Sequence, residues 1–337
     1  MIDGKKEFQV ELFQECNNMC KFCFLGDGNR RTRNDNKLEA INATLKFLSD
    51  DENLKDYYCL SFIGGEFFQG QLDTPEVRES FFKLMSKASD LLRRGLVKTV
   101  WCSATLTLGD QKDLYEMLDL FRDVEYNPKD DSGFWIIASY DTTGRFHTQK
   151  YLDSWDYHML NIQNRYPWVK FNTCTILSQH LVDRYLDGRL DFREFSRKYK
   201  TSFFFKQPAM GGWGFSGLET NSLEARAAFN EKVLAEWFPT RKSVLKFFAK
   251  LKQDDEALYE KLFNIKYRAD ELFRNFNYEE DTPEEQRRRM AKTTRFKDQK
   301  EETDEGFGLL PCGHPNVYQA YVDSDKCWVC DRDSVGG

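Results

Sequence analysis

Short apolar runs alternate with helix-period segments along the first two thirds of the chain. Six runs are rich in apolar, β-branched or aromatic residues, lack an interior proline and have the length of strands. They cover residues 7–13, 57–63, 97–104, 134–139, 168–176 and 201–206. Between them, apolar residues recur at helical spacing within 38–48, 77–92, 114–121 and 155–162, while 178–199 predicts a helix broken near Gly188.

This alternation predicts an α/β fold. Strand and helix alternate about every 30–45 residues, which is the length of βαβ units with parallel strands. Six such units fit either an open or partial barrel or a doubly wound sheet. In both architectures ligands bind at the carboxyl ends of the strands.

The pattern changes after the sixth strand. The sequence predicts charged helices over 223–275 and a charged linker over 278–305. It predicts a compact tail that contains cysteines over 309–331. We therefore divide the chain into a β/α unit (1–217), a helical insertion with a linker (218–305) and a tail (306–337).

Composition and charge narrow the class of protein. Apolar residues make up 40% and charged residues 31% of the 337, which allows a sizeable core under a solvated surface. A net charge of −6 argues against direct binding to long nucleic acid, which needs a basic face. No apolar run approaches the ~20 residues that span a bilayer, and the N-terminus lacks a signal-peptide layout, so the sequence predicts a soluble, cytoplasmic protein.

Three cysteines, Cys16, Cys20 and Cys23, follow the first predicted strand at offsets of four and three residues. They could form a disulfide with a spare thiol, supply part of a zinc site, or hold an iron–sulfur cluster. A reducing compartment favours metal over disulfide. Zinc normally needs a fourth ligand close by, and no histidine is near in sequence. A cubane cluster held by three thiolates leaves one iron open for chemistry.

Two further polar segments follow predicted strands. Gly64-Gly65-Glu66 ends the second strand, where glycines allow close backbone approach and a carboxylate can accept a hydrogen bond from an ammonium group. Ser139 ends the fourth strand, and Arg145 follows it. Both segments are expected at the ligand-binding edge of the sheet.

The first loop resembles that of the radical S-adenosylmethionine (SAM) superfamily. It matches the Cys-x3-Cys-x-aromatic-Cys pattern, with Phe22 at the aromatic position. The resemblance implies a partial (β/α)6 barrel, a [4Fe-4S] cluster on the three cysteines, and SAM as cofactor. It further implies that Gly64, Gly65 and Glu66 contact the SAM amino group, Ser139 the ribose, and Arg145 the carboxylate.

The activity that the resemblance implies is reductive cleavage of SAM. One electron from the reduced cluster would yield methionine and a 5′-deoxyadenosyl radical, which abstracts hydrogen from a substrate. An electron donor such as flavodoxin or ferredoxin is implied as a partner. The resemblance assigns no residue to the chemistry on the substrate itself.

The cysteine-containing tail has two competing interpretations. It could hold a structural zinc ion, or it resembles part of a SPASM or twitch extension, which would imply an auxiliary iron–sulfur cluster and a metal-binding β-hairpin. In the second case the fourth ligand would be His314, Asp331, the substrate or absent. The candidate ligands are Cys312, His314, Cys327 and Cys330, and the hairpin turn is expected around Asp323 and Asp325.

Several functions remain open at this point. An auxiliary cluster suggests a peptide or small-metabolite substrate. The short segment before the first strand is expected to leave no room for an N-terminal peptide-recognition domain, which weakens the peptide interpretation. Modification of a nucleotide or nucleobase is an alternative, as is a non-catalytic iron–sulfur or zinc-binding scaffold. Cys59, Cys102 and Cys174 lie on predicted strands and are interpreted as small buried hydrophobic residues.

Overall fold

The computed structural model describes most of the first 206 residues and parts of the remainder. The described residues are 6–13, 15–18, 20, 37–107, 111–124, 127–129, 132–142, 144–146, 148–206, 241–264, 326–327 and 332–333. The expected domain boundaries after 217 and 305 lie outside these ranges, as does the predicted linker 278–305.

Six parallel strands form one sheet. They are β1 (Lys6–Glu11), β2 (Tyr57–Ile63), β3 (Thr99–Ala104), β4 (Gly133–Ser139), β5 (Lys170–Ile176) and β6 (Ser202–Lys206). Every pair of neighbours is parallel, and the order in the sheet is the order in the sequence. The six predicted strands are therefore confirmed, although β1 ends at Glu11 rather than Phe13.

Helices occupy the connections and part of the segment after β6. They are α1 (Lys37–Ser49), α2 (Pro75–Arg93), α3 (Lys112–Leu120), α4 (Gln149–Arg165), α5 (Gln179–Leu186), α6 (Phe192–Tyr199), α7 (Arg241–Asp254) and α8 (Glu256–Asn264), with a 3-10 turn at Asp51–Leu54. The break predicted near Gly188, whose φ is +80°, separates α5 from α6. Within the predicted 223–275, the described part is helical.

Local chemistry explains where several helices start. The Thr74 hydroxyl accepts from the Val77 N–H at the start of α2, and Pro75 occupies the first helical position. Ser178 caps α5 in the same way by accepting from the Leu181 N–H. The Asp191 carboxylate caps α6.

The sequential strand order puts the helices on one face of the sheet. A doubly wound sheet requires a reversal of direction, and this order has none. Right-handed crossovers that all run in one direction place their helices on the same side. Accordingly, Phe134, Ile136 and Ala138 of β4 are fully buried in one hydrophobic core with Trp155 and Met159 of α4.

Along β3, β4 and β5 the other face of the sheet is more polar and largely half-buried. Register pairing places Trp101, Trp135 and Lys170 side by side on this face, because parallel partners in register point the same way. The Lys170 ammonium lies 4.2 Å from the centre of the Trp135 ring. Asn172 and Ser202 lie nearer the carboxyl edge.

The last described elements are a short antiparallel pair. Lys326–Cys327 (β7) pairs with Arg332–Asp333 (β8). The predicted turn at Asp323 and Asp325 lies outside the described residues. Among those residues, no helix combines the length and apolar character needed to cross a membrane.

Candidate functional site

The loops that follow β1, β2 and β3 meet at the carboxyl edge of the sheet. They contain Cys16 and Cys20 after β1, Gly64–Glu66 after β2, and Thr105 and Thr107 after β3. Since these strands are neighbours and parallel, the three loops are adjacent. The edge expected to bind ligands therefore brings together the first two predicted segments.

The loops after β1 and β2 are joined through their backbones. The Gly65 N–H donates to the Phe13 carbonyl at 2.9 Å, and the Glu66 N–H donates to the Glu15 carbonyl at 3.0 Å. A Cβ at Gly64 would lie 2.5 Å from the Phe13 oxygen, so only glycine permits this approach. These hydrogen bonds hold the start of the cysteine loop beside Gly64–Glu66.

Cys16 and Cys20 are thiols in this loop. Cys16 is half-buried and Cys20 is buried. The Asn18 N–H donates to Cys16 Sγ at 3.4 Å. Phe22 and Cys23 lie outside the described residues, and among those described no group of three or more His, Cys, Asp or Glu residues is arranged to hold a metal.

Glu66 is a buried carboxylate that ties β2 to β3. It is 2% exposed; Oε1 accepts from the Phe67 and Phe68 N–H groups at 3.1 and 3.2 Å, and Oε2 accepts from the Thr105 N–H at 2.7 Å. Burial raises the pKa of Glu66, while hydrogen bonds from Thr105 and Phe68 and the charge of Arg145 oppose the rise. A carboxylate offers about four acceptor positions, so these three backbone donors occupy most of them.

Replacing Glu66 with glutamine should destabilise the protein in a pH-dependent way. Glutamine must turn an N–H group toward a backbone N–H donor, at a cost of about 1–3 kcal/mol. Because the native pKa of Glu66 is raised, the native state binds this proton more tightly than the unfolded state. The glutamate's contribution is thus fully present below its ordinary pKa of 4.5 and is lost as pH rises toward the native value.

Urea unfolding of wild type and Glu66→Gln from pH 4.5 to 8 tests this. The stability advantage of the wild type over the variant should shrink as pH rises. A constant difference over that range would contradict a raised native pKa.

Lys37 is a buried cation that sequence reasoning missed. Its Nζ lies 2.6 Å from Glu15 Oε2, 3.0 Å from Asp73 Oδ1 and 2.7 Å from the Gln71 carbonyl, and the side chain is 4% exposed. A cation in the first turn of a helix opposes the helix dipole, so these partners offset an unfavourable position. Lys37 therefore links α1 to the start of the cysteine loop and to the loop after β2.

Replacing Lys37 with methionine should lower the free energy of unfolding by about 3 kcal/mol, because two carboxylates lose their shared cation. Denaturant unfolding measures the change. The matched control is Lys83→Met, since Lys83 pairs with Glu79 on the exposed side of α2, where such pairs contribute about 0–1 kcal/mol. Equal losses in the two variants would show that Lys37 has no special role.

Sequence reasoning also missed a polar network that joins the cysteine loop to the loops after β2 and β3. Asn17 Nδ2 donates to the Gln69 carbonyl at 2.9 Å, and Gln69 Nε2 donates to the hydroxyls of Thr105 and Thr107 at 3.1 and 3.2 Å. Asn18 joins the same hydroxyls. The only signal in the sequence was the Asn17-Asn18 pair between two cysteines, which could not identify its partners.

Ser139 and Arg145 lie at the same carboxyl edge of the sheet, at the end of β4 and in the loop that follows it. Ser139 ends β4 and is half-buried. Arg145 is half-buried in the following loop, where Asp141 Oδ1 accepts from the Gly144 N–H and the Asp141 carbonyl accepts from the Phe146 N–H. The charge of Arg145 acts on buried Glu66, so the loop after β4 lies within electrostatic reach of the loop after β2.

The remaining cysteines and the candidate ligands of the tail fall into three groups. Cys59 and Cys102 are buried, and burial raises the pKa of both thiols, which disfavours the thiolate that a metal requires. Cys174 is half-buried on the polar face, so its predicted burial is wrong. Cys312, His314 and Cys330 lie outside the described residues, and for Cys327 only the backbone pairing of β7 is described.

Comparison of the chain with protein-family models and with curated proteins finds no match.

Proposed function

We propose that this chain is a radical SAM enzyme built on a partial (β/α)6 barrel. The observation that carries the proposal is the backbone pairing of the cysteine loop with Gly64–Glu66 at the carboxyl edge of the sheet. A disulfide or a remote zinc site gives no reason for this close approach. The barrel interpretation is supported by the sequential strand order and by the packing of the described helices into one core with the sheet.

The residues present fit an iron–sulfur cluster. Two thiols from one short loop, with Cys23 as the third, match a three-thiolate site, and the N–H donor on Cys16 Sγ is of the kind that tunes such clusters. With SAM bound, the [4Fe-4S] cluster would supply one-electron cleavage that ends in hydrogen abstraction from the substrate.

The chain's own residues would orient and enclose the ligands. Gly64–Glu66 lie beside the cysteine loop, and their backbone carbonyls would accept from an ammonium group. The Arg145 guanidinium would bind a carboxylate, and the Ser139 hydroxyl a ribose. The half-buried polar face would bound the space for substrate, with Trp101 and Trp135 as flat walls that exclude water.

The substrate class, the electron donor and the auxiliary cluster of the tail are proposed on the family resemblance alone. The substrate is a peptide or small metabolite, the electron donor is flavodoxin or ferredoxin, and the tail holds an auxiliary cluster or zinc. A nucleotide or nucleobase substrate is the alternative within the same chemistry. We place the enzyme in the cytoplasm, where thiols stay reduced.

Anaerobic reconstitution tests the assignment. Protein loaded with iron and sulfide, reduced with dithionite and supplied with SAM should release 5′-deoxyadenosine and methionine. The spin signal of the reduced cluster should change when SAM is added. The enzyme proposal would fail if protein with four irons per chain released no 5′-deoxyadenosine and if SAM left the spin signal of the reduced cluster unchanged. Such a protein would be a scaffold.

Metal analysis of Cys327→Ala distinguishes the two interpretations of the tail. Loss of about four irons per chain, with the first cluster retained, is expected if the tail holds an auxiliary cluster. Loss of zinc alone would overturn that expectation in favour of a structural zinc site. Cys59→Ala is the matched control and should lose neither metal, because Cys59 is buried in β2.

A further inference from the structure

Asn18 directs two N–H groups at one cysteine sulfur. Its backbone N lies 3.4 Å and its side-chain Nδ2 lies 3.7 Å from Cys16 Sγ. The residue is 1% exposed, so its amide must find partners inside the protein. An apolar residue could fill the same space without needing hydrogen-bond partners, so the buried amide points to a role for its N–H and carbonyl groups.

The amide is anchored to the end of β3. Nδ2 donates to Thr105 Oγ1 at 3.0 Å, the Thr107 hydroxyl donates to Asn18 Oδ1 at 3.0 Å, and the two threonine oxygens are 3.1 Å apart. These contacts form a closed ring of three hydrogen bonds. Gln69 Nε2 donates to both threonine hydroxyls from the outside. The position of Asn18 therefore depends on β3 as well as on its own loop.

The chemistry of a bound thiolate matches this orientation. A metal-bound thiolate is an acceptor and has no proton to donate, so the amide must present N–H rather than its oxygen to Cys16 Sγ. With Nδ2 facing both the sulfur and Thr105, each of its two hydrogens has one acceptor. Oδ1 is then left to accept from Thr107.

We infer that Asn18 is a positioning residue that sets the reduction potential of the cluster through its two N–H donors to Cys16 Sγ. The inference rests on the proposed function. A reduced cluster carries one more negative charge, part of which lies on the sulfur ligands, so N–H donors stabilise the reduced state more than the oxidised state. Asn18 thereby raises the potential toward the range that a small electron-transfer protein can reach.

The Asn18→Leu variant tests the inference because leucine has a similar volume and lacks the side-chain N–H donor to Cys16 Sγ, while the backbone N–H donor remains. The midpoint potential is measured by redox titration of the reduced-cluster spin signal, together with iron and sulfide per chain. A more negative midpoint at unchanged iron content is expected. Asn161→Leu is the matched control, since the Asn161 amide donates to the Tyr115 hydroxyl on α3, away from the loop; its midpoint should equal that of the wild type.

A second pair of variants decides the matter if Asn18→Leu holds no iron. Thr107→Val removes the donor that holds Asn18 Oδ1, whereas Thr107→Ser keeps it. Thr107→Val should shift the midpoint to more negative values, and Thr107→Ser should restore it. If Asn18 and Thr107 served stability alone, Asn18→Leu and Thr107→Val would lower the free energy of unfolding and leave the midpoint potential at the wild-type value.

The outcomes separate this inference from the function on which it rests. A wild-type chain that assembles no four-iron cluster would overturn the proposed function. A wild-type chain that cleaves SAM, with equal midpoints in wild type and Asn18→Leu at equal iron content, would overturn the role of Asn18 alone. If Asn18→Leu holds no iron, equal midpoint potentials in wild type and Thr107→Val would overturn the role of Asn18.

Discussion

Replacing Cys16 or Cys20 with alanine should abolish both the binding of the first cluster and SAM cleavage, because two thiolates cannot hold a four-iron cluster open at one corner. Stability should change little in Cys16→Ala, by less than about 1 kcal/mol, since this half-buried side chain lies in a loop outside the hydrophobic core. The measurements are iron per chain, 5′-deoxyadenosine released, and denaturant unfolding of the metal-free protein.

The control for this prediction is Cys59→Ala. Cys59 is a buried thiol on β2, and its loss should leave iron content and SAM cleavage at wild-type levels. Retained SAM cleavage in Cys16→Ala or Cys20→Ala would be incompatible with the assignment. Equal loss of activity in Cys59→Ala would point to unfolding rather than to a lost ligand.

Replacing Gly64 with alanine should lower the free energy of unfolding by about 2–4 kcal/mol and reduce iron binding. The new Cβ would lie 2.5 Å from the Phe13 carbonyl oxygen, so the backbone must move apart. Movement breaks or lengthens the hydrogen bond from the Gly65 N–H to the same oxygen. The estimate combines the cost of overpacking with that of a lost hydrogen bond.

Gly95→Ala separates this effect from ordinary glycine strain. Gly95 ends the turn after α2 with φ of +69°, and an added Cβ meets open space. It should cost about 1–2 kcal/mol through backbone strain alone and leave iron binding unchanged. Wild-type iron content in Gly64→Ala would show that the two loops do not need this close approach.

The fold class was predictable because each strand and helix carries its own period. The burial of β4 and β5 alternates along the strands, and the apolar positions of α2 fall on one face. The ends of elements were less predictable. Phe13 is an aromatic residue of the kind that favours strands, yet the strand ends at Glu11, and the Phe13 carbonyl accepts from the Gly65 N–H in the loop after β2.

The candidate site was predictable where spacing within one short segment carried the information. Cys16, Cys20 and Gly64–Glu66 follow their strands as expected, and the parallel sheet brings them together. The expected role of the Glu66 carboxylate needs adjustment, because its oxygens accept from three backbone N–H groups. An isolated sequence motif gives no means of seeing those donors.

The sequence by itself determined the alternation of strands and helices, the cysteine spacing and the radical SAM hypothesis, since all of these depend on residues close together along the chain. Only the tertiary structure decided that the helices share one face, that Lys37 is buried, and that Asn17 and Asn18 contact residues 52 and 87 positions away. Such contacts depend on strand order and register, which arise from the packing of the whole sheet and leave no period in the local sequence.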